Sequence, residues 1–297
     1  MATSAPTARV LRAHMRPDDD NWFIAPVVAD WWQQYQDDGL LDKPFAIAGS
    51  KVRASWAGDC ARAVAYHVAG VEETNPTTVA DAWRFNIGQL IHDRVQEQIE
   101  RTYPGSKSEV KVAIGDFGSG HMDMWVVKPD GRTVAVEIKS VNGFGFRKMV
   151  QRVNPEGVRV KYVMQGALNA MAHDPQPDEL LIAVFSLECM SPKEAVFNGL
   201  ESEYRRFSAQ WTFSKEEYLT VAEDEFRRLE RIVELTERQG PLSVPRIIPD
   251  PGLPQHLVVN PKRGVITTHN QDGEMVGTGH VWQCAYCSFQ DHCDAQP

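Results

Sequence analysis

Residues 120–140 read GHMDMWVVKPDGRTVAVEIKS. Two alternating, β-branched runs flank Pro129-Asp130-Gly131, which is the pattern of a β-hairpin. Pro and Asp suit a type I turn, and Gly supplies the left-handed position that closes a three-residue loop. The loop sets the register: Lys128 lies opposite Arg132 and, counting back, Asp123 opposite Glu137. Strand side chains alternate in direction. Met122, Met124, Val126, Val134, Val136 and Ile138 therefore share an apolar face, with Asp123, Glu137 and Lys139 on the other. Directly opposed β-carbons are about 5 Å apart, so two carboxylates face each other with an ammonium beside them.

Like charges held opposite one another destabilise a hairpin. A divalent cation removes the conflict, and Mg²⁺ or Mn²⁺ is commonly held by one or two carboxylates together with substrate phosphate. Lys139 could then orient an attacking water or stabilise charge on a phosphate. The plainer alternative is an edge hairpin with solvated charges and one Glu–Lys neighbour pair. The hairpin alone does not choose between them.

Outward from the hairpin, Ile87, Ile91, Val95 and Ile99 recur at helical spacing, predicting a helix from Val79 to Tyr103 that Pro104-Gly105 stops. His92 lies on it, one turn after Gly88, a residue that permits close backbone approach. A lone helical His is more often a packed or surface residue; beside the charged hairpin it becomes a candidate ligand. SEVKVAI (108–114) reads as a strand, VRVKYVMQGALNAMA (158–172) as a helix, and ELLIAVFSLE (179–188) as a buried strand. Residues 215–239 form a charged amphipathic helix. This order predicts an α/β fold with a mixed sheet flanked by helices.

The flanks are less regular. Residues 1–50 read as a partly helical arm anchored by Trp22, Trp31, Trp32 and Tyr35, and CARAVAYHVAG (60–70) as a short helix capped by Asp59 or Ser55 and ended by Gly70. PLSVPRIIPDPGLP (241–254) is a Pro-rich connector without regular structure, leading to a small hairpin at 256–268 and a cysteine-bearing tail. The expected divisions are 1–78, 79–190 for the core, 191–255, and 256–297. There is no G-x-x-x-x-G-K-[ST], no G-x-G-x-x-G opening a helix and no G-x-S-x-G elbow, which removes several large enzyme classes.

A chain of 297 residues, 42% hydrophobic and 24% charged, has the composition of a soluble globular protein. The N-terminal stretch has no apolar signal-peptide core, and no eighteen apolar residues run together. A cytoplasmic protein without membrane contact is therefore expected. Three of the five cysteines, Cys284, Cys287 and Cys293, fall in the last fourteen positions; in a reducing compartment such clusters read first as metal ligands. Cys189, in FSLECM, reads as a small buried hydrophobe. The net charge of −9 leaves room for local basic stretches at Lys51/Arg53, Arg147/Lys148 and Arg159/Lys161. These could line a groove or be ordinary surface charge.

The ordered set Cys60, Gly88-x-x-x-His92, Gly120-x-x-Asp123, Glu137-x-Lys139, Gln165 and Cys284-x-x-Cys287-x5-Cys293 resembles RecB-like nucleases of the PD-(D/E)xK superfamily. It is most similar to the iron–sulfur branch with the CRISPR-associated Cas-four exonucleases and the AddB nuclease domain. The resemblance implies a restriction-endonuclease-like core, with a helical N-terminal part and the C-terminal tail joined at a metal cluster. It implies an Mg- or Mn-dependent DNA exonuclease acting on single strands or DNA ends. Asp123 and Glu137 would hold the metal with His92 and the Ile138 carbonyl, Lys139 would be the catalytic lysine, and Gln165 an auxiliary group. The family's tyrosine four residues after that glutamine is replaced by Asn169, so no tyrosine role carries over; Glu109 is a further candidate near the metal. Cys60, Cys284, Cys287 and Cys293 would bind a 4Fe-4S cluster shielded by Trp282, Tyr286 and Phe289. Cys60 at a helix start would favour a thiolate. Zinc at the same four cysteines is the alternative, with His292 as a substitute ligand. Two other roles stay open: an assembly subunit working with other DNA-processing proteins in CRISPR adaptation or phage recombination, and a structure-specific endonuclease.

Overall fold

The structure, a computed structural model, describes residues 51–75, 78–153, 157–200, 203–245 and 287–294, with positions 33 and 37 and three short strands between 256 and 279. The chain divides into residues 1–44 and 45–297, and the sheets and their helices lie in the second unit. The expected arm at 1–50, Cys284, Trp282 and Tyr286 lie outside the described residues, apart from positions 33 and 37.

β1 (Val52–Arg53), β2 (Lys107–Ile114), β3 (Gly118–Val127), β4 (Thr133–Val141), β5 (Glu179–Ser186) and β6 (Ser208–Ser214) make one mixed sheet. β3 pairs antiparallel with β2 and β4 and parallel with β1; β5 runs parallel to β4 and antiparallel to β6. The hairpin has the register its turn requires. Met124 lies opposite Val136, Lys128 N–H donates to Arg132 O at 2.8 Å, and Gly131 takes φ +88°. The sheet thus draws on residues 52–53 and 208–214 as well as the stretch between. β6 is half-buried and too polar to announce itself.

Helices cover both faces. α1 (Ala61–Val68) and α2 (Val79–Thr102) precede β2, and α3 (Gly143–Val150) and α4 (Val160–Ala172) fill the β4–β5 crossover. α5 (Pro192–Phe197) and α6 (Lys215–Gln239) flank β6. α2 begins in a capping box between Thr78 and Asp81, and α6 in another between Ser214 and Glu217. α1 is capped by neither Asp59 nor Ser55. Cys60 occupies the cap without a side-chain bond, Ser55 lies in a 3-10 turn, and Asp59 is engaged with Lys161. Gly70, at φ +65°, ends the helix as expected.

Val95 and Ile99 of α2 pack on Met124, Val126, Val134, Val136 and Ile138. The opposite face, which the sequence marks as the charged one, is buried too. Trp125 and Ala135 lie there in a cluster with Val163, Ala167, Leu180 and Ile182, and Met122 joins them. A face carrying Asp, Glu and Lys is buried here because α4 lies across it. Cys189 corrects another expectation: β5 ends at Ser186, so Cys189 falls in the following turn and is exposed. The Pro-rich connector opens with a 3-10 turn at Pro241–Ser243. Beyond it β7 (His256–Asn260), β8 (Val265–His269) and β9 (Met275–Gly279) form a meander, one strand more than the expected hairpin. A short α7 (Gln290–Asp294) carries Cys293. No described helix is long and apolar enough to cross a membrane.

Candidate active site

The β3–β4 ladder ends at Met124–Val136. One step further Asp123 and Glu137 stand opposite, and there Ile138 N–H donates to Asp123 Oδ2 at 2.6 Å. On the other edge of β3, the residue opposite Asp123 is Glu109 of β2, where the ladder is interrupted and Glu109 takes φ +50°. A left-handed conformation in a non-glycine strand residue costs on the order of 1–3 kcal/mol, and such strain gathers at functional sites. Three carboxylates thus line up across three strands.

α2 reaches this row through residues spaced four apart. At Gly88 an added Cβ would meet Ser140 Oγ at 3.0 Å, so glycine lets the helix cross β4 closely. One turn on, His92 Nδ1 stands 3.9 Å from Asp123 Oδ2, too far for a hydrogen bond. Another turn on, the buried Gln96 donates to Glu109 Oε1 at 2.8 Å and to the Asp123 carbonyl at 3.1 Å. Gln96 was not among the residues marked by sequence, although the 88–92–96 spacing could have pointed to it.

α4 closes the site from the other face. Gly166 lies so near that an added Cβ would meet Glu137 Cβ at 3.2 Å. Gln165 Oε1 accepts from Lys139 Nζ at 3.2 Å. Asn169, one turn on and 1% exposed, donates to His121 O at 2.8 Å and reaches Glu137 Oε2 at 3.5 Å. The residue at the position without a tyrosine thus touches the central carboxylate. Lys139 Nζ is 2.5 Å from the buried Glu137 Oε1, an ion pair.

The electrostatics follow from burial. Glu137 is 1% exposed; desolvation, with the charge of Asp123 added, pushes its pKa up to about 7. Burial likewise pushes Asp123 up to about 6, although Lys139 and the Ile138 N–H pull the other way. Burial works against a charge on Lys139, but Glu137 and Asp123 outweigh it and raise its pKa, so it stays cationic. His92 is lowered by burial and by Lys139, which leaves a neutral imidazole with a free lone pair at neutral pH.

These donors suit a divalent cation: two buried carboxylates that resist ionising alone, and a neutral imidazole beside them. Asp123, Glu137, His92, Lys139, Gln165 and the Ile138 backbone are brought together; among the described residues, no three His, Cys, Asp or Glu groups already close around one metal-sized point.

At a separate place, Cys60 is half-buried at the start of α1, close enough to Cys293 for the two thiols to interact electrostatically. Burial raises its pKa, outweighing the N–H groups of Ala63 and Arg62, so the expected helix-favoured thiolate is not what the free thiol adopts. Cys287 is pushed up to about 11 by burial, with Cys60 and Cys293 adding to the rise. Its Sγ accepts from Phe289 N–H at 3.5 Å. Phe289 is 1% exposed and packs on Tyr66 and His67. His292 is turned to the Glu72 carbonyl at 3.0 Å.

No protein-family model and no curated protein matches the chain. A solved structure entitled "Crystal structure of SSO0001" is similar to it at 11% identity and a TM-score of 0.49, covering 93% of this chain and 99% of that one.

Proposed function

We propose that this chain is a metal-dependent deoxyribonuclease of the PD-(D/E)xK type, acting on single-stranded DNA or DNA ends. The observation that carries the reading is the buried Asp123–Glu137 pair, both carboxyls raised, with the Lys139 ammonium 2.5 Å from Glu137. On this reading Asp123 and Glu137 would hold the cation, with His92 as a nitrogen ligand and the Ile138 carbonyl as a further oxygen ligand. When bound, Mg²⁺ or Mn²⁺ would neutralise the two carboxylates and polarise a phosphodiester and its attacking water. Lys139 supplies a fixed positive charge for the phosphate, and Gln165 holds that ammonium in place. Gln96 and Asn169 orient the carboxylate row from either side of the sheet.

The four cysteines form a structural centre on this reading. Cys60, Cys287 and Cys293 lie near one another and half-buried, and the raised thiol pKa values of Cys60 and Cys287 are what metal–thiolate bonding would reverse. The nuclease setting favours a 4Fe-4S cluster over zinc. DNA is the partner implied, with other DNA-processing proteins as further ones.

The test is degradation of end-labelled linear single-stranded DNA with Mg²⁺ or Mn²⁺, abolished by EDTA and by Glu137→Gln. Full activity in Glu137→Gln overturns the assignment. A closed single-stranded circle should survive far longer than the same DNA linearised; equal rates would favour an endonuclease.

A further inference from the structure

α4 carries the two side chains that meet the ion pair, Gln165 and Asn169, yet its own start has no cap. Arg159 stands at the cap position without a side-chain bond, and the first turn holds no acidic residue. Such a start leaves nothing local to fix where the helix begins. A distant segment does so instead. Gly58, at φ +73°, packs so closely on α4 that an added Cβ would meet Lys161 Cα at 3.0 Å. The next residue, Asp59, accepts from Lys161 Nζ on its Oδ1 at 2.5 Å. It also brings negative charge beside the uncapped helix start.

This grip is held from behind by a buried charge that the carboxylate site does not use. Glu225 of α6 is 1% exposed. Its oxygens accept from Arg228 Nη2 at 2.6 Å and Nε at 2.7 Å, and Oε1 also accepts from Gly58 N–H at 2.9 Å. Arg228 Nη1 donates in turn to Asp59 O at 3.3 Å. A fork of this kind fixes orientation more than it adds stability. Gly58 and Asp59 are thus seated on α6, and the first turn of α4 is seated on them.

From Lys161 the helix returns to one side every fourth residue. Gln165 accepts from Lys139 Nζ at 3.2 Å, and Asn169 reaches Glu137 Oε2 at 3.5 Å. Gly166, between them, leaves only its backbone against Glu137, so no flexible side chain absorbs a shift of the helix. We propose that Lys161 and Asp59 are positioning residues for the carboxylate site. Their ion pair sets where α4 lies along the sheet, and so how Gln165 and Asn169 hold Lys139 and Glu137 for the cation. Because Cys60 follows Asp59 directly, the loop that enters the cysteine centre is the one that seats α4. The proposal rests on reading the carboxylate row as the metal site of a nuclease and adds which distant groups set its geometry.

Mn²⁺ binding without DNA, read from the electron paramagnetic resonance signal of free Mn²⁺, tests the link. Lys161→Met should weaken binding about three- to tenfold. By field alone, removing a positive charge would strengthen cation binding, so weakening reports position. Lys161→Arg, which can still reach Asp59, should bind within about twofold of the unmodified protein. Lys51→Met, which breaks the exposed pair with Glu237 on α6, should leave binding unchanged. In a chain already carrying Gln165→Ala and Asn169→Ala, Lys161→Met should add less than about twofold, because its route is gone. Unchanged or tighter Mn²⁺ binding in Lys161→Met, even with a lowered melting temperature, overturns the proposal and leaves the nuclease reading standing. So does an undiminished effect of Lys161→Met in the Gln165→Ala, Asn169→Ala background. Weakening by Lys161→Met in a chain that hydrolyses no DNA overturns the nuclease reading and leaves the positioning role. No Mn²⁺ binding by the unmodified protein, or binding that Glu137→Gln leaves unchanged, overturns both.

Discussion

Glu137 shows at the level of one residue what burial does to the carboxylate row. Its carboxyl is 1% exposed and raised to about 7, while Asp123 is raised to about 6. Carboxyls raised on folding bind protons more tightly in the folded than in the unfolded chain. They therefore favour folding below the unfolded pKa near 4.5, and that contribution is lost as pH rises through the folded values. The metal-free protein should thus lose stability between about pH 5.5 and 8, with Glu137 accounting for on the order of 2 kcal/mol. Glu137→Gln should remove much of this slope, and Mn²⁺ should raise the melting temperature more at about pH 8 than at about pH 5.5. Thermal melts with and without EDTA check both; a pH-independent wild type would remove the electrostatic basis of the site. Gln is the preferred replacement because Glu137→Ala would open a void beneath α4. On activity, Glu137→Gln and Lys139→Met should each cost at least about a hundredfold. Gly120→Ala should destabilise by roughly 1–3 kcal/mol, since its Cβ would meet Asn169 Oδ1 at 2.1 Å and Ala54 Cβ at 2.8 Å.

At the scale of elements, the site depends on how closely α2 crosses the sheet. Gly88 allows an approach in which Ser140 Oγ would touch a Cβ at 3.0 Å. Gly88→Leu should lift the helix and carry His92 and Gln96 away from Asp123. The expected outcome is strongly reduced activity with a cooperative unfolding transition retained and destabilisation of about 1–3 kcal/mol. Activity equal to wild type would show that His92 need not lie near the carboxylates. These helix limits were legible in sequence because their stop and start chemistry is local: Pro104-Gly105 ends α2 and the charged period of 215–239 defines α6. α3 and β6 were not legible for the opposite reason. GFGFRKMV spans barely two turns and carries two glycines in its first turn, and SAQWTFS is a half-buried strand held by its pairing with β5.

Within the second unit, the cysteine tail is tied back to the start of the fold. Thr74 and Asn75 backbone N–H groups donate to Ser288 O at 2.8 and 3.0 Å, Asn75 Nδ2 donates to Cys287 O at 3.0 Å, and Phe289 enters the α1 packing. A metal shared by Cys60 and the tail would close a loop over most of the chain, restricting the unfolded state. Anaerobically purified protein should be brown, with about four irons per chain for a 4Fe-4S cluster. Replacing Cys60, Cys287 or Cys293 by Ala should lower iron content and melting temperature together, whereas Cys189→Ala, at an exposed turn, should change neither. A colourless preparation with one zinc per chain, made anaerobically with iron supplied, would keep the staple and reject the cluster.

The sequence by itself determined the hairpin, its register and the opposition of Asp123 to Glu137, because a Pro-Asp-Gly turn and period-two alternation act between neighbours in the chain. It likewise marked His92 by its helical spacing from Gly88, while Gln165 came only through the motif resemblance. Only the tertiary structure decided that the charged face is buried, that Asn169 and Gln96 hold the carboxylate row, that Glu109 is strained and that Cys189 lies in solvent. Burial and pKa depend on which distant segments pack together. Here α2 and α4 close on opposite faces of one sheet, and no local pattern states how closely they approach.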